Sequence, residues 1–272
     1  MARTPHEEPQ PLPADGRSVF ESPVFDSFDG WARLLRGGAA TAETAETADR
    51  AGADAALGPE AAPWVPRRRL PMALLHVIDD GRDDGETIRV RGDTLVIGRT
   101  TGGVSIPHDP ALDEAHARID RLPGEGWLLT DLGSRDGTWV RVTTARLKPG
   151  TSLRIGSTTL SFKPDGAGGR FLVDGPGGTH SIPCPVAPFL VGRAGAWPEG
   201  TGPAGVEIVG LDDPHVSPLH GEVIVRRGGL RILNHGLNGL WARIREPLRL
   251  SSTSQFRCGE QRFVFESLAA GS

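Results

Sequence analysis

Residues 131–142 read DLGSRDGTWVRV, and residues 233–244 read LNHGLNGLWARI. Each stretch is a polar, glycine-bearing turn that runs straight into an alternating Trp-x-Arg-x strand pattern. Working outward, the likeness extends on both sides in one order. TLVIGR (94–99) is matched by PFLVGR (188–193), and HDPALDEAHARID (108–120) by DDPHVSPLHGEVIV (212–225). IGSTTLSF (155–162) is matched by CGEQRFVF (258–265), and RFLVDGPGGTHSI (170–182) resembles the hairpin that opens the first set. Blocks recurring in one order indicate an internal duplication. The copies differ in one spacing. From Arg to His is 17 positions in the first (99 to 116) and 27 in the second (193 to 220), the excess falling in GAWPEGTGPAG (195–205).

Between these blocks the chain is punctuated by Pro123-Gly124, Asp136-Gly137 and Pro149-Gly150, with short alternating runs such as ETIRVR (86–91), GWLLTD (126–131) and TWVRV (138–142). Short strands separated by frequent turns predict an antiparallel β-sandwich. The 37 Gly and 23 Pro among 272 residues argue against a helical bundle or coiled coil. Residues 1–70 differ in texture. They include the Ala/Thr/Glu-rich run TAETAETAD (41–49), cannot bury a core, and are expected to be a disordered arm. Phe25, Phe28, Trp31 and Leu35 fall at helical spacing, so a short helix is expected near 26–36.

The net charge of −4 excludes a global basic field for nucleic acid. No apolar run approaches membrane-spanning length and the first 30 residues lack a secretory pattern, so a cytoplasmic protein without membrane attachment is expected. Two cysteines, Cys184 and Cys258, make neither a disulfide framework nor a metal cage. No metal or cofactor is expected. Motifs for nucleotide phosphates, zinc hydrolysis, serine nucleophiles and kinases are absent, which argues against an enzyme. His108, Asp109, Asp213 and His215 invite a metal reading, but their HDP and DDPH contexts fit turn chemistry better.

The repeated blocks resemble the forkhead-associated (FHA) domain. Its signature is Gly-Arg at a strand end, then Ser-x-x-His, then a Gly-Ser-x-Asn-Gly-Thr loop. The resemblance covers roughly 71–165 and 170–266, and the two-copy layout is similar to that of planctomycete-type bacterial FHA proteins. It implies an all-β fold of two FHA sandwiches in tandem, at 71–165 and 168–268, and loops that bind phosphothreonine peptides without catalysis. An arginine presents a planar fork of donors that matches phosphate oxygens and never loses its charge.

Carried over by motif, Arg193 and Ser217 match the phosphate ligands of the family and Asn238 matches the residue that holds the peptide main chain. His220 and His116 match the histidine that props the loops, with Gly192, Gly239 and Gly98 beside the binding residues. The second loop is one residue shorter than the family pattern. The first copy keeps Arg99 but has Asp113 and Glu114 at the serine position and Asp136 for the loop Asn. Three carboxylates there would repel a phosphate, with Arg135 a partial offset. Two like charges about 4 Å apart cost roughly 4 kcal/mol at an effective dielectric of 20. Asp113 is expected to pair with Arg99 and to stand in for a bound phosphate. The expected function is phosphothreonine-peptide recognition in Ser/Thr kinase signalling through the second copy, the partner being a kinase or its substrate. The alternative is a degenerate adaptor that binds partners independently of phosphate. A third idea is a ligand in cis, with Thr41, Thr44 or Thr47 phosphorylated and the tethered arm folded back.

Overall fold

The structure, a computed structural model, describes residues 72–78, 85–124, 126–165, 168–197, 202–227 and 229–268. The expected arm and its helix near 26–36 lie outside the described residues. The first ten strands are β1 Met72–Ile78, β2 Thr87–Val90, β3 Thr94–Gly98, β4 Val104–Ser105, β5 Ala117–Leu122, β6 Gly126–Asp131, β7 Thr138–Val142, β8 Thr144–Arg146, β9 Ser152–Ile155 and β10 Thr158–Asp165. The next ten are β11 Gly168–Gly175, β12 Gly178–Pro183, β13 Phe189–Arg193, β14 Ile208–Leu211, β15 Gly221–Arg226, β16 Gly229–Asn234, β17 Leu240–Arg243, β18 Leu248–Leu250, β19 Gln255–Cys258 and β20 Gln261–Leu268. Among the described residues the one helical element is a 3-10 turn at Pro203–Gly205, inside the ten-residue excess of the second set. The expected all-β class is therefore what the chain adopts.

Three sheets form. One has ten strands in the order β12-β11-β10-β9-β17-β7-β19-β20-β1-β2, and two have five, β4-β3-β5-β6-β18 and β14-β13-β15-β16-β8. Shifting every strand number by ten turns one five-stranded sheet into the other and reverses the ten-stranded sheet onto itself. The strand order thus corresponds to itself about the β7–β17 pair, where Trp241 faces Arg141 and Arg243 faces Trp139.

Hydrogen bonding does not follow the expected division at residues 165–168. β20 pairs along all of β1, from Met72↔Leu268 to Ile78↔Arg262, and β10 pairs with β11 from Thr159↔Asp174 to Asp165↔Gly168. β18 joins β6, and β8 joins β16. The reason is chain length. Only residues 166 and 167 separate β10 from β11, and a two-residue connection joins neighbouring antiparallel strands. The last strand of the first set is thereby held beside the first strand of the second, and β1 is left for β20. A second crossing occurs at Thr143, the single residue between β7 in the long sheet and β8 in a five-stranded one. Residues 144–243 therefore supply β8–β17 as one contiguous group, enclosed by 72–142 and 248–268.

Alternation sets the core. In β1, Ala73, Leu75 and Val77 are buried while their neighbours are partly exposed, as a strand with one covered face requires. Trp127 of β6 meets Phe265 of β20 edge-to-face at 5.8 Å, which packs the β6 sheet on the β20 side of the long sheet.

Two buried carboxylates tie each set to the other. Asp213 Oδ1 accepts the N–H of His215, and Oδ2 accepts the N–H of Ser157 and the hydroxyl of Thr158, all at 2.8 Å. Asp109 Oδ1 accepts from Ala111 N–H at 2.9 Å, and Oδ2 accepts from Glu260 N–H at 2.9 Å. Each aspartate caps its own turn with one oxygen and clamps a hairpin turn of the other set with the second. Gly156 (φ 61°) and Gly259 (φ 59°) make those turns, and a Cβ at either would stand under 3 Å from the clamping oxygen. These two aspartates serve turns, as their sequence contexts suggested. Removing a carboxylate of this kind strands buried donors, at roughly 1–3 kcal/mol each. Asp213→Ala is expected to destabilise the protein by on the order of 3 kcal/mol. Asp109→Ala, with fewer donors to strand, should cost less, and urea unfolding of the two variants checks the order.

Candidate functional site

Three loops converge beyond the end of β13. Arg193 N–H donates to Ser217 O at 3.0 Å, Leu237 N–H to Ser217 Oγ at 3.2 Å, and the Asn238 side-chain amide to His215 O at 2.8 Å. Arg193, Ser217 and Asn238, chosen by motif, are thus brought together by direct bonds between their loops. His220 is fully buried and stands between two of them. Its Nδ1 accepts from Ser217 N–H at 3.1 Å, so its Nε2–H donates to Gly239 O at 3.1 Å. Burial pushes its imidazole below the ordinary value, against the opposing pull of the Gly239 carbonyl and Asp213. Gly192 is required by close approach, since a Cβ there would lie 2.0 Å from Pro218 O.

What this arrangement offers chemically is unspent donors on Arg193 and Ser217 and an unspent acceptor on Asn238. The Ser217 hydroxyl accepts one bond and keeps its proton. The Arg193 side chain is exposed and makes no hydrogen bond or ion pair with the described residues. The Asn238 amide oxygen is likewise unspent among the described residues. Leu237 is 87% exposed at the loop tip, and the Trp197 indole N–H donates to Pro218 O at 2.9 Å, next to Ser217.

The first set repeats the frame with different side chains. Arg99 N–H donates to Asp113 O at 2.8 Å, and His116, fully buried, links Asp113 N–H at 3.3 Å to Gly137 O at 3.1 Å. A Cβ at Gly98 would lie 2.1 Å from Glu114 O. The expected pairing of Asp113 with Arg99 is corrected here. Asp113 instead accepts from Arg135, whose N–H and Nε each stand 2.7 Å from one of its oxygens. Those bonds, the backbone one first, hold its carboxyl below the usual carboxylate range. Arg135 reaches Asp113 because it is the loop residue whose N–H already points there, as Leu237 N–H points to Ser217. Asp136 turns away too, giving both oxygens to Arg154 at 3.2 and 2.8 Å. The Glu114 carboxylate makes no bond with the described residues, while its main-chain oxygen accepts from Thr101 N–H at 3.0 Å.

The shorter second loop is visible in matched bonds. Leu132 and His235 both donate to the bracing histidine's carbonyl, and Gly137 and Gly239 both accept from its ring. The span between is five positions in the first set and four in the second. Sequence reasoning missed the bracing inside each loop. Ser134 and Thr138 donate to Asp131 in the first (2.5 and 2.8 Å), whereas Asn234 exchanges two 3.3 Å bonds with Gly236 in the second. It also missed Arg154 and Arg257, whose signal was an Arg at the same place in two matched strands.

Residues 95–156 match the family model of the FHA domain, and the chain contains an FHA domain. FHA domains are in general non-catalytic interaction modules. The match spans Arg99, Asp113, His116 and the Ser134–Thr138 loop. Among solved structures, the chain is similar to the FHA domain of the CT664 protein from Chlamydia trachomatis, at 12% identity and a TM-score of 0.33, covering 73% of this chain and 99% of that one. It is similar to an FHA structure described under phosphothreonine-dependent FHA domain interactions, at 14% identity and a TM-score of 0.30, covering 72% and 95%. It is also similar to Mycobacterium tuberculosis EmbR in complex with a low-affinity phosphopeptide, at 13% identity and a TM-score of 0.32, covering 74% of this chain and 25% of that one. No curated protein matches the chain.

His220 gives a pH dependence with a definite sign. Its folded-state pKa is lowered, so the unfolded chain binds the extra proton first as pH falls. Its contribution is complete above about pH 6.5 and is lost as pH drops from there through the lowered folded value, by up to roughly 1.4 kcal/mol per pH unit. Thermal unfolding between pH 7.5 and 5 should show this loss, and His220→Gln should reduce the slope.

Proposed function

We propose that the chain recognises phosphothreonine peptides through the loops around Arg193, Ser217 and Asn238. In this reading it has two FHA-type units, one built from 72–142 with 248–268 and one from 144–243. The observation that carries it is the bond from Arg193 N–H to Ser217 O, which joins an exposed arginine's loop to a serine whose hydroxyl still has its proton to give. Arg193 forks the phosphate, Ser217 donates to it, Asn238 holds the peptide main chain, and His220 fixes the loops. The chemistry is binding alone, with no bond made or broken, so the protein acts as a non-catalytic link in Ser/Thr kinase signalling. The partner is a phosphorylated kinase or its substrate.

The first site is read as closed. Asp113 takes the place of Ser217 as acceptor of the loop N–H, and its charge is met by Arg135, 74% exposed, inside the protein itself. A phosphate arriving there meets a carboxylate instead of a hydroxyl donor. This favours a phosphate-independent, structural or partner-contacting role for that site. Cys184 and Cys258 are both free thiols, which suits a reducing cytoplasm. Among the described residues no helix is long and apolar enough to cross a membrane.

Calorimetry with a phosphothreonine peptide library should find one peptide per chain and no binding of the unphosphorylated set. Arg193→Ala should weaken binding by at least about tenfold, the loss of one charge-assisted contact. Two peptides per chain, or partners captured equally by Arg193→Ala and after phosphatase treatment, would sink this reading.

A further inference from the structure

The two sets differ in charge at one matched place outside the phosphate loops. In the first, Trp139 Nε1 donates to Asp136 O at 3.0 Å, and Arg154 lies over the Trp139 ring at 4.5 Å. Both terminal nitrogens of Arg154 are spent on the Asp136 carboxylate. In the second, Trp241 Nε1 donates to Asn238 O at 3.0 Å, and Arg257 lies over the Trp241 ring at a looser 5.6 Å. The matched loop residue is an amide, already committed to His215 O. Arg257 makes no hydrogen bond or ion pair with the described residues; its Nε is buried without a partner, as is that of Arg154, so the difference between the two lies in their terminal nitrogens.

Arg257 is half-buried beside other cations. Burial first, and then Arg154 and Arg262, push its guanidinium down to about 10, with Asp136 and Glu260 opposing. A partly desolvated cation among cations gains from an anion close by. The first set shows the shape of the remedy: a carboxylate at the loop, gripped by an Arg stacked on the following Trp. The second set keeps the Arg and the Trp and leaves out the carboxylate. Trp241, under Arg257, donates its indole N–H to Asn238 O, and Asn238 is the residue read above as holding the peptide main chain, so a bound peptide is the molecule placed to supply the carboxylate.

We propose that Arg257, stacked on Trp241, is a specificity-determining residue that takes the carboxylate of an acidic side chain on the phosphothreonine peptide held at Asn238. The proposal rests on the phosphopeptide reading and adds the class of peptide, one with Asp or Glu near the phosphothreonine. Arg257 comes from β19, beyond the enclosed segment 144–243 that supplies Arg193, Ser217 and Asn238. The pairing of β19 with β7, and of β7 with β17, brings it over the Trp241 ring.

The test uses the full chain and three peptides: phosphothreonine flanked by Asp, the same peptide with Asn for Asp, and the Asp peptide unphosphorylated. The Asp-flanked phosphopeptide should bind about tenfold tighter than its Asn counterpart, the worth of one charge-assisted pair. In Arg257→Gln that ratio should fall to about one. Equal affinities in the unaltered protein, or a ratio that survives Arg257→Gln, overturns the proposal and leaves the phosphopeptide reading standing. Binding of the unphosphorylated Asp peptide as tightly as the phosphorylated one overturns both. If neither phosphopeptide binds, the phosphopeptide reading fails, and a double-mutant cycle in thermal stability decides whether Arg257 accepts an anion at the loop. Asn238→Asp should then cost less in Tm with Arg257 present than in Arg257→Gln, and additive costs overturn the proposal.

Discussion

The connection between Asp165 and Gly168 constrains everything else in this chain. Two residues are enough to turn between neighbouring antiparallel strands and too few to carry the chain to a separate sandwich. β10 and β11 therefore pair, and every other exchange follows. β1 must find β20, β18 must close the sheet that begins with β4, and β8 must close the sheet that begins with β14. The long sheet results because β7 and β17, each the last strand before a crossing, meet across the seam.

Exchange has consequences for the sites. The turn that Asp213 clamps comes from the first set, and the turn that Asp109 clamps comes from the second. Each loop cluster is thus buttressed by residues about 50 to 150 positions away. Arg243 of β17 donates to Ser134 O at 3.0 Å in the first loop, while Arg141 of β7 reaches Gln255 at 2.9 Å. A peptide at the second cluster would touch a frame to which both sets contribute, so the chain is better regarded as one interlocked body than as two beads.

The two loop clusters also show how one scaffold holds opposite chemistries. The histidine brace, the close Gly–carbonyl contact and the loop N–H that points inward are common to both. What differs is the acceptor of that N–H. A serine leaves a proton to give to an incoming anion. An aspartate draws in Arg135, and the cluster becomes self-satisfied. The expected Asp113–Arg99 pair is replaced by Asp113–Arg135. Arg135 outcompetes Arg99 because its own N–H already anchors it on Asp113.

The all-β class and the turn-and-strand pattern were legible in the sequence alone. Turn chemistry and alternation are local, and residues such as Gly192, Ser217 and His220 carry their reasons within a few positions. The one-residue shortening of the second loop was legible too, because it is a matter of counting. The pairing of β1 with β20 came from the tertiary structure, because β10 and β20 hold matching places in the two sets and strand pattern alone assigns neither of them to β1. Only the tertiary structure decided the partner of Asp113, because an ion pair depends on where side chains meet in space. Arg257 belongs with these. On paper it is one of many arginines, and its place over the Trp241 ring exists because β19 pairs with β7 and β7 with β17.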